Sequence, residues 1–189
     1  DDNMKPLYMI GCINEIGERQ KADNVSGLLG ETGFREYMDQ QDTPLEKGYL
    51  LRIGIDHFKE INDNFGQEYG DFVLRKTADC ISGCLSEGQK VYKLVADEFL
   101  ILDVSSDKVR DAEKLYDKVR ESIDRFIEAN KFKVMYTVSG GIVPFGTLGG
   151  NQYSEALKLT DFALNEAKKL GRNRCYIFDR ETYRKFLRK

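Results

Sequence analysis

Lys168 and Arg172 stand four residues apart in a segment of helical periodicity, a spacing that sends both cationic heads off one helix face. Alone, such a pair also suits any helix C-terminus, where cations are favoured. Asp97 and Glu98 are adjacent carboxylates between two strand-like runs, and without further context they read as a polar hairpin turn. Asn62 and Asp71 fall at the boundaries of two short helices, where such residues are common as caps. His57 and Phe58 open a helix, and backbone amides at a helix start suit phosphate oxygens; the imidazole itself reads as a surface group. His57 is the single histidine, so chemistry built on several histidines is excluded. The net charge of −3 argues against a nucleic-acid partner. A polyphosphate ligand would therefore need locally placed cations and backbone amides.

The four cysteines, Cys12, Cys80, Cys84 and Cys175, lack CxxC spacing and read as free thiols in a reducing, cytoplasmic compartment. Cys80 and Cys84 are spaced to share a helix face. No apolar run approaches the roughly 18 residues needed to cross a bilayer, and no basic-then-apolar leader is present. The chain opens at Asp1 without an initiator Met, which reads as a fragment of something longer.

The elements that must hold these residues follow from periodicity. A strand is expected over 5–13, leading into a polar helical segment from residue 14. A short helix over 32–40 carries Phe34, Tyr37 and Met38 on its apolar face. Residues 48–55 form an almost continuous apolar run of strand length, which predicts a buried central strand. A helix from 57 to 65 breaks at Gly66, and a second over 70–85 has Leu74, Ala78, Ile81 and Leu85 at helical spacing. Strands near 90–94 and 99–104 flank the tight turn at 95–98. A charged amphipathic helix over 107–129, a strand over 133–143, a Gly-rich loop at 146–150 and a helix over 152–170 follow, with Gly171 placed to end the helix. A last strand over 175–178 precedes a charged tail. Helices interspersed with strands, one hairpin included, predict an α/β (α+β) domain with a central mixed sheet covered by helices.

Several separated motifs, taken in order, resemble the GGDEF family of diguanylate cyclases. The family's D-x-L-T-G-L is similar to Asp23-Asn24-Val25-Ser26-Gly27-Leu28. Its D-x-D-x-F-K-x-I-N-D-x-x-G-H-x-x-G-D is similar to the run from Gly54 through Asp56, His57, Phe58, Lys59 and Asn62 to Asp71. The signature loop resembles Val95-Ala96-Asp97-Glu98-Phe99. S-x-G-I resembles Ser139-Gly140-Gly141-Ile142, and A-D-x-A-L-Y-x-A-K-x-x-G-R-N resembles the run from Thr160 to Asn173.

The resemblance implies a nucleotidyl-cyclase-like fold and, for the family, the joining of two GTP molecules across a homodimer into cyclic di-GMP with Mg2+. It implies that Asn62 and Asp71 read guanine and that Lys168 and Arg172 hold terminal phosphates. His57 and Phe58 would offer amides to phosphate. Lys59, Asp97 and Glu98 would be catalytic, with Asp97, the Ile55 backbone and, as a substitute, Asp56 on the metal.

The departures matter equally. Gly54 stands where the family has its first metal-binding aspartate, so Mg2+ is expected to be held weakly or lost. Val95 and Ala96 replace the two signature glycines, and Ser86 and Gln89 replace the Arg and Asp of the inhibitory R-x-x-D. The chain is therefore expected to be a degenerate GGDEF domain serving as an impaired regulatory or GTP-sensing module. The alternatives are an active diguanylate cyclase and an interaction scaffold that binds no nucleotide. The expected boundaries are the end of a PAS-like sensor with its signalling helix over 1–22, the GGDEF domain over 23–178, and a linker over 179–189 toward an EAL phosphodiesterase domain.

Overall fold

A computed structural model of the chain describes residues 21–188. The strand expected over 5–13, most of the helical segment that follows it, and Cys12 lie outside the described residues. Strand β1 (Tyr49–Ile55) is buried at every position, as its unbroken apolar run predicts. It pairs antiparallel with β3 (Glu98–Asp103) on one side and with β4 (Val138–Pro144) on the other. Next to β3 lies β2 (Gln89–Lys93), antiparallel, and next to β4 lies β5 (Cys175–Ile177), parallel. The resulting mixed sheet has the order β2-β3-β1-β4-β5.

The described helices are α1 (Glu31–Asp39), α2 (Phe58–Phe65), α3 (Gln67–Ser82), α4 (Val109–Ala129), α5 (Gln152–Lys169) and α6 (Arg180–Leu187). Alternation along β1 sends Leu51, Ile53 and Ile55 to the face covered by α3 and α4, where they meet Val73, Ile81, Val119 and Ile123. The opposite face brings Leu50, Leu100 and Leu102 against Phe34 and Met38 of α1 and Ala156 of α5. None of the described helices is long and apolar enough to cross a membrane. Cys80, Cys84 and Cys175 are free thiols, and Cys80 and Cys84 both face α4, donating to the Ser122 and Lys118 carbonyls.

Helix α5 lies directly on β4 because Gly141 leaves room for it. A Cβ on Gly141 would stand 2.3 Å from the Leu164 nitrogen and 2.8 Å from the Ala163 carbonyl carbon. Backbone cannot yield as a side chain can, so Gly141→Ala is expected to cost about 2 kcal/mol of stability. A lowered urea midpoint with an unchanged slope would register it.

Four local features differ from the periodicity reading, each for a physical reason. Helix α3 begins at Gln67, and Gly70 lies inside it rather than starting it. A Cβ there would fall 1.8 Å from Asn62 Oδ1, so the glycine serves close packing against α2. Strand β4 begins only at Val138, because its partner β1 ends at Ile55, opposite it. Thr137 instead accepts the Asp56 amide hydrogen and turns its hydroxyl to the Asp56 carboxylate. Helix α5 closes with Gly171 at φ 116°, and the Arg172 amide reaches back to the Ala167 carbonyl. Arg172 therefore stands beyond the helix, in left-handed backbone at φ 62°. The charged tail forms α6, capped by Asp179, which accepts from the Thr182 amide and hydroxyl. Tyr183 and Phe186 of α6 pack their rings on Phe162 of α5.

Candidate functional site

The β2–β3 turn and the helices α2 and α3 enclose an open cleft of about 520 Å³. Phe58, Lys59, Asn62, Asp71 and Asp97 line it together with Gln67, Leu74 and Ala96. Five of the residues singled out by sequence thus meet in one hollow, from segments as distant as α2 and the hairpin. Register explains the meeting: the Ile55 amide donates to the Asp97 carbonyl, fastening the turn to the end of β1.

At the α2–α3 end, Asn62 Oδ1 is buried and has no hydrogen-bond partner. A buried acceptor left unpaired costs of order 1–3 kcal/mol, and this one lies against Gly70 of α3. Asp71, one turn into α3, adds a carboxylate to the same wall. His57 takes left-handed backbone at φ 58° ahead of α2, and its ring lies outside the cleft lining, with Nδ1 2.7 Å from Glu60 Oε1.

At the other end the carboxylates are treated unequally. Burial raises the pKa of Asp97; the Lys168 charge opposes that rise and Glu98 adds to it. Glu98 turns away onto Arg52, which donates from Nε at 2.7 Å and pairs through its terminal nitrogen as well. Arg52 also donates to the Leu157 carbonyl at 3.1 Å and lies 3.4 Å from Asp161. Asp56 is buried and fully engaged, accepting from the hydroxyls of Thr137 and Ser139 and from the Asn173 amide. Its bond to Asn173 fixes the turn that carries Arg172. Lys168 projects over Gly54: a Cβ there would stand 3.1 Å from Lys168 Nζ.

These donors make a depleted set for magnesium, in which Asp97 is the cleft carboxylate that carries no ion pair among the described residues. A magnesium ion takes carboxylate and phosphate oxygens in near-octahedral array. Here Gly54 brings no side chain, Glu98 is held by Arg52, and Asp56 has three donors on it. No group of three or more His, Cys, Asp or Glu side chains among the described residues is arranged to hold a metal.

Two participants escaped the sequence reading. Arg52 was concealed within the apolar run Tyr-Leu-Leu-Arg-Ile-Gly-Ile, although an arginine in a strand buried on both faces demands an anionic partner. Lys93 is buried too, and its ammonium donates to the carbonyls of Leu94 and Ala96, bracing the turn. Burial lowers its pKa, against the pull of Asp23, Asp97 and Glu98. Ser86 and Gln89 fasten their own loop: Gln89 accepts from the Ser86 amide and donates to Asp103, both at 2.7 Å.

Within the turn, Ala96 adopts φ 53°, a conformation that costs a residue with a Cβ roughly 1 kcal/mol or more. Ala96→Gly is accordingly expected to raise stability by about 1 kcal/mol, partly offset by glycine's chain entropy. Equilibrium denaturation reads the sign directly; destabilisation would mean that the methyl group packs usefully.

The family model described as "Diguanylate cyclase, GGDEF domain" matches residues 20–174. The chain is 30% identical over 171 residues to the cyclic di-GMP phosphodiesterase NbdA of Pseudomonas aeruginosa, covering 88% of this chain and 22% of that protein. It is 29% identical over 156 residues to the diguanylate cyclase VdcA of Vibrio cholerae, covering 80% and 45%. It thus spans less than half the length of either relative. Among solved structures, the GGDEF domain of TpbB (YfiN) from Pseudomonas aeruginosa superposes with TM-score 0.75 at 25% identity, over 89% of this chain and 99% of that one. The coiled coil and GGDEF domain of DgcB from Caulobacter crescentus, in complex with c-di-GMP, gives 0.74 at 19% identity, over 94% and 95%, a likeness of fold.

Proposed function

The chain belongs to the GGDEF family of diguanylate cyclase domains, and we propose that it acts in cyclic di-GMP signalling as a catalytically impaired module that binds GTP. The observation that carries this reading is the contrast between the two ends of the cleft. At one end Asn62 keeps an unpartnered buried acceptor beside Asp71, the amide and carboxylate suited to guanine's donor edge. At the other end Gly54 lacks a carboxylate and Glu98 is occupied by Arg52.

In this reading Asn62 and Asp71 hold the base. Lys59, Lys168, Arg172 and the amides at His57 and Phe58 meet the phosphates. Joining two GTP molecules requires a 3′-hydroxyl of one to attack the α-phosphate of the other while charge grows on the departing pyrophosphate. Asp97 remains in the cleft to receive a proton, but the carboxylate set around it is depleted. Each ~1.4 kcal/mol of lost transition-state stabilisation slows the step tenfold, and a rate loss of about a hundredfold or more follows.

Such a module would report nucleotide to its neighbours: a PAS-like sensor end over 1–22 and a downstream EAL phosphodiesterase domain reached through 179–189. The likeness to a protein named as a phosphodiesterase, of which the chain spans about a fifth, supports that arrangement. Dimerisation and a cytoplasmic setting complete the proposal.

Chromatography after prolonged incubation of concentrated protein with GTP and Mg2+ tests the impairment. The expected result is conversion at about 0.01 per second or slower. Accumulation of cyclic di-GMP at rates of the order of 1 per second, ordinary for an enzyme, would return the chain to the active cyclases.

A further inference from the structure

Two protein cations occupy the ground that the missing carboxylate vacates. Arg52 and Gly54 are two residues apart on β1 and so share the sheet face under α5. Glu98 is the residue directly opposite Gly54 in the β1–β3 ladder. Its carboxylate turns along that face to the Arg52 guanidinium, whose side chain is only 8% exposed. The Leu157 carbonyl and Asp161, both on α5, hold the same guanidinium from above. From one helical turn before Gly171, Lys168 brings its ammonium to within 3.1 Å of the point where a side chain on Gly54 would begin. Among the described residues Lys168 makes no ion pair.

Charge balance gives this arrangement a meaning. A carboxylate at position 54 would meet Lys168 at once, and without Arg52 the adjoining Glu98 would lack a counter-charge unless a cation entered. With glycine at 54 and arginine at 52, Glu98 is already neutralised and Lys168 remains uncommitted beside Asp97. We infer that Arg52 and Lys168 together supply the positive charge that a divalent ion would otherwise bring, so that the cleft takes a guanine nucleotide as the free anion rather than as its magnesium complex. Arg52 acts through Glu98 and is a positioning residue; Lys168, whose charge acts on Asp97, would meet the ligand's phosphates. The inference rests on the reading of the cleft as a guanine-nucleotide site.

Its closing experiment begins without nucleotide, so that the two readings can fail separately. Electron paramagnetic resonance follows free Mn2+ as the protein is added. The wild-type protein is expected to leave Mn2+ free up to about 1 mM, and stoichiometric binding well below that would overturn the inference. The double variant Gly54→Asp with Arg52→Met restores one carboxylate and releases Glu98. Folded, as judged by circular dichroism, it is expected to bind Mn2+ at least tenfold more tightly than wild type. A folded double variant that leaves Mn2+ equally free would remove Arg52 from the explanation and overturn it. GTP affinity of the wild-type protein, measured in EDTA and then in Mg2+, is expected to agree within about threefold, and a tenfold loss in EDTA would also overturn it.

Discussion

Arg52→Ala is expected to lower the unfolding free energy by about 3 kcal/mol or more, the usual cost of breaking a buried ion pair from one side. The reason lies in what remains. Glu98 sits on a central strand with its side chain 17% exposed, and Arg52 is the group that faces its carboxylate. The Leu157 carbonyl would lose a donor in the same stroke. Replacing both partners tells burial from mere truncation. Arg52→Met combined with Glu98→Leu removes both charges and keeps most of the volume, so stability should recover to within about 1 kcal/mol of wild type. Chemical denaturation of the three proteins forms the cycle. A single variant as stable as wild type would mean that water reaches Glu98 freely and that the pair does not organise the centre.

The second large effect concerns the ligand. Asn62→Ala is expected to weaken GTP binding by about tenfold, equal to losing one well-formed neutral hydrogen bond. The protein itself should gain slightly in stability, because the buried acceptor without a partner disappears with the amide. Asp71→Asn should produce a loss of similar size, since the carboxylate's two acceptors become one acceptor and one donor facing the same base edge. Competition by ATP distinguishes base recognition from phosphate attraction: a wild-type preference for GTP that collapses in both variants is the expected pattern. Equal losses for GTP and ATP would move the two residues away from the base.

Much of this architecture is legible in the chain. The run Tyr-Leu-Leu-Arg-Ile-Gly-Ile announces a strand buried on both faces, and so it is. The spacing of Leu74, Ala78 and Ile81 gives the inward face of α3, and Gly171 ends α5. Phe58, Lys59, Asn62, Asp71 and Asp97 could be named because family motifs mark them, and the cleft gathers all five.

What stayed hidden depends on contacts between distant segments. Nothing local tells that Glu98 will choose Arg52, 46 residues away, over an open cleft. Nor does Gly54 reveal that the space above it belongs to Lys168, because that follows from where α5 crosses β1. Asp56 looked available as a substitute metal ligand, yet three donors from β4, its approach and the α5–β5 turn converge on it. The tail after Phe178 read as a linker because its charges mask an aromatic stripe; Tyr183 and Phe186 turn it into a helix packed on Phe162. In each case the deciding partner lies far away in sequence, where neither periodicity nor propensity reaches.

Calorimetric titration of the wild-type protein with GTP tests the central claim most directly. The account predicts saturable heat at one nucleotide per chain, present in EDTA as in Mg2+. Absence of any heat in both conditions would contradict it, leaving a domain that serves by contact with its neighbours alone.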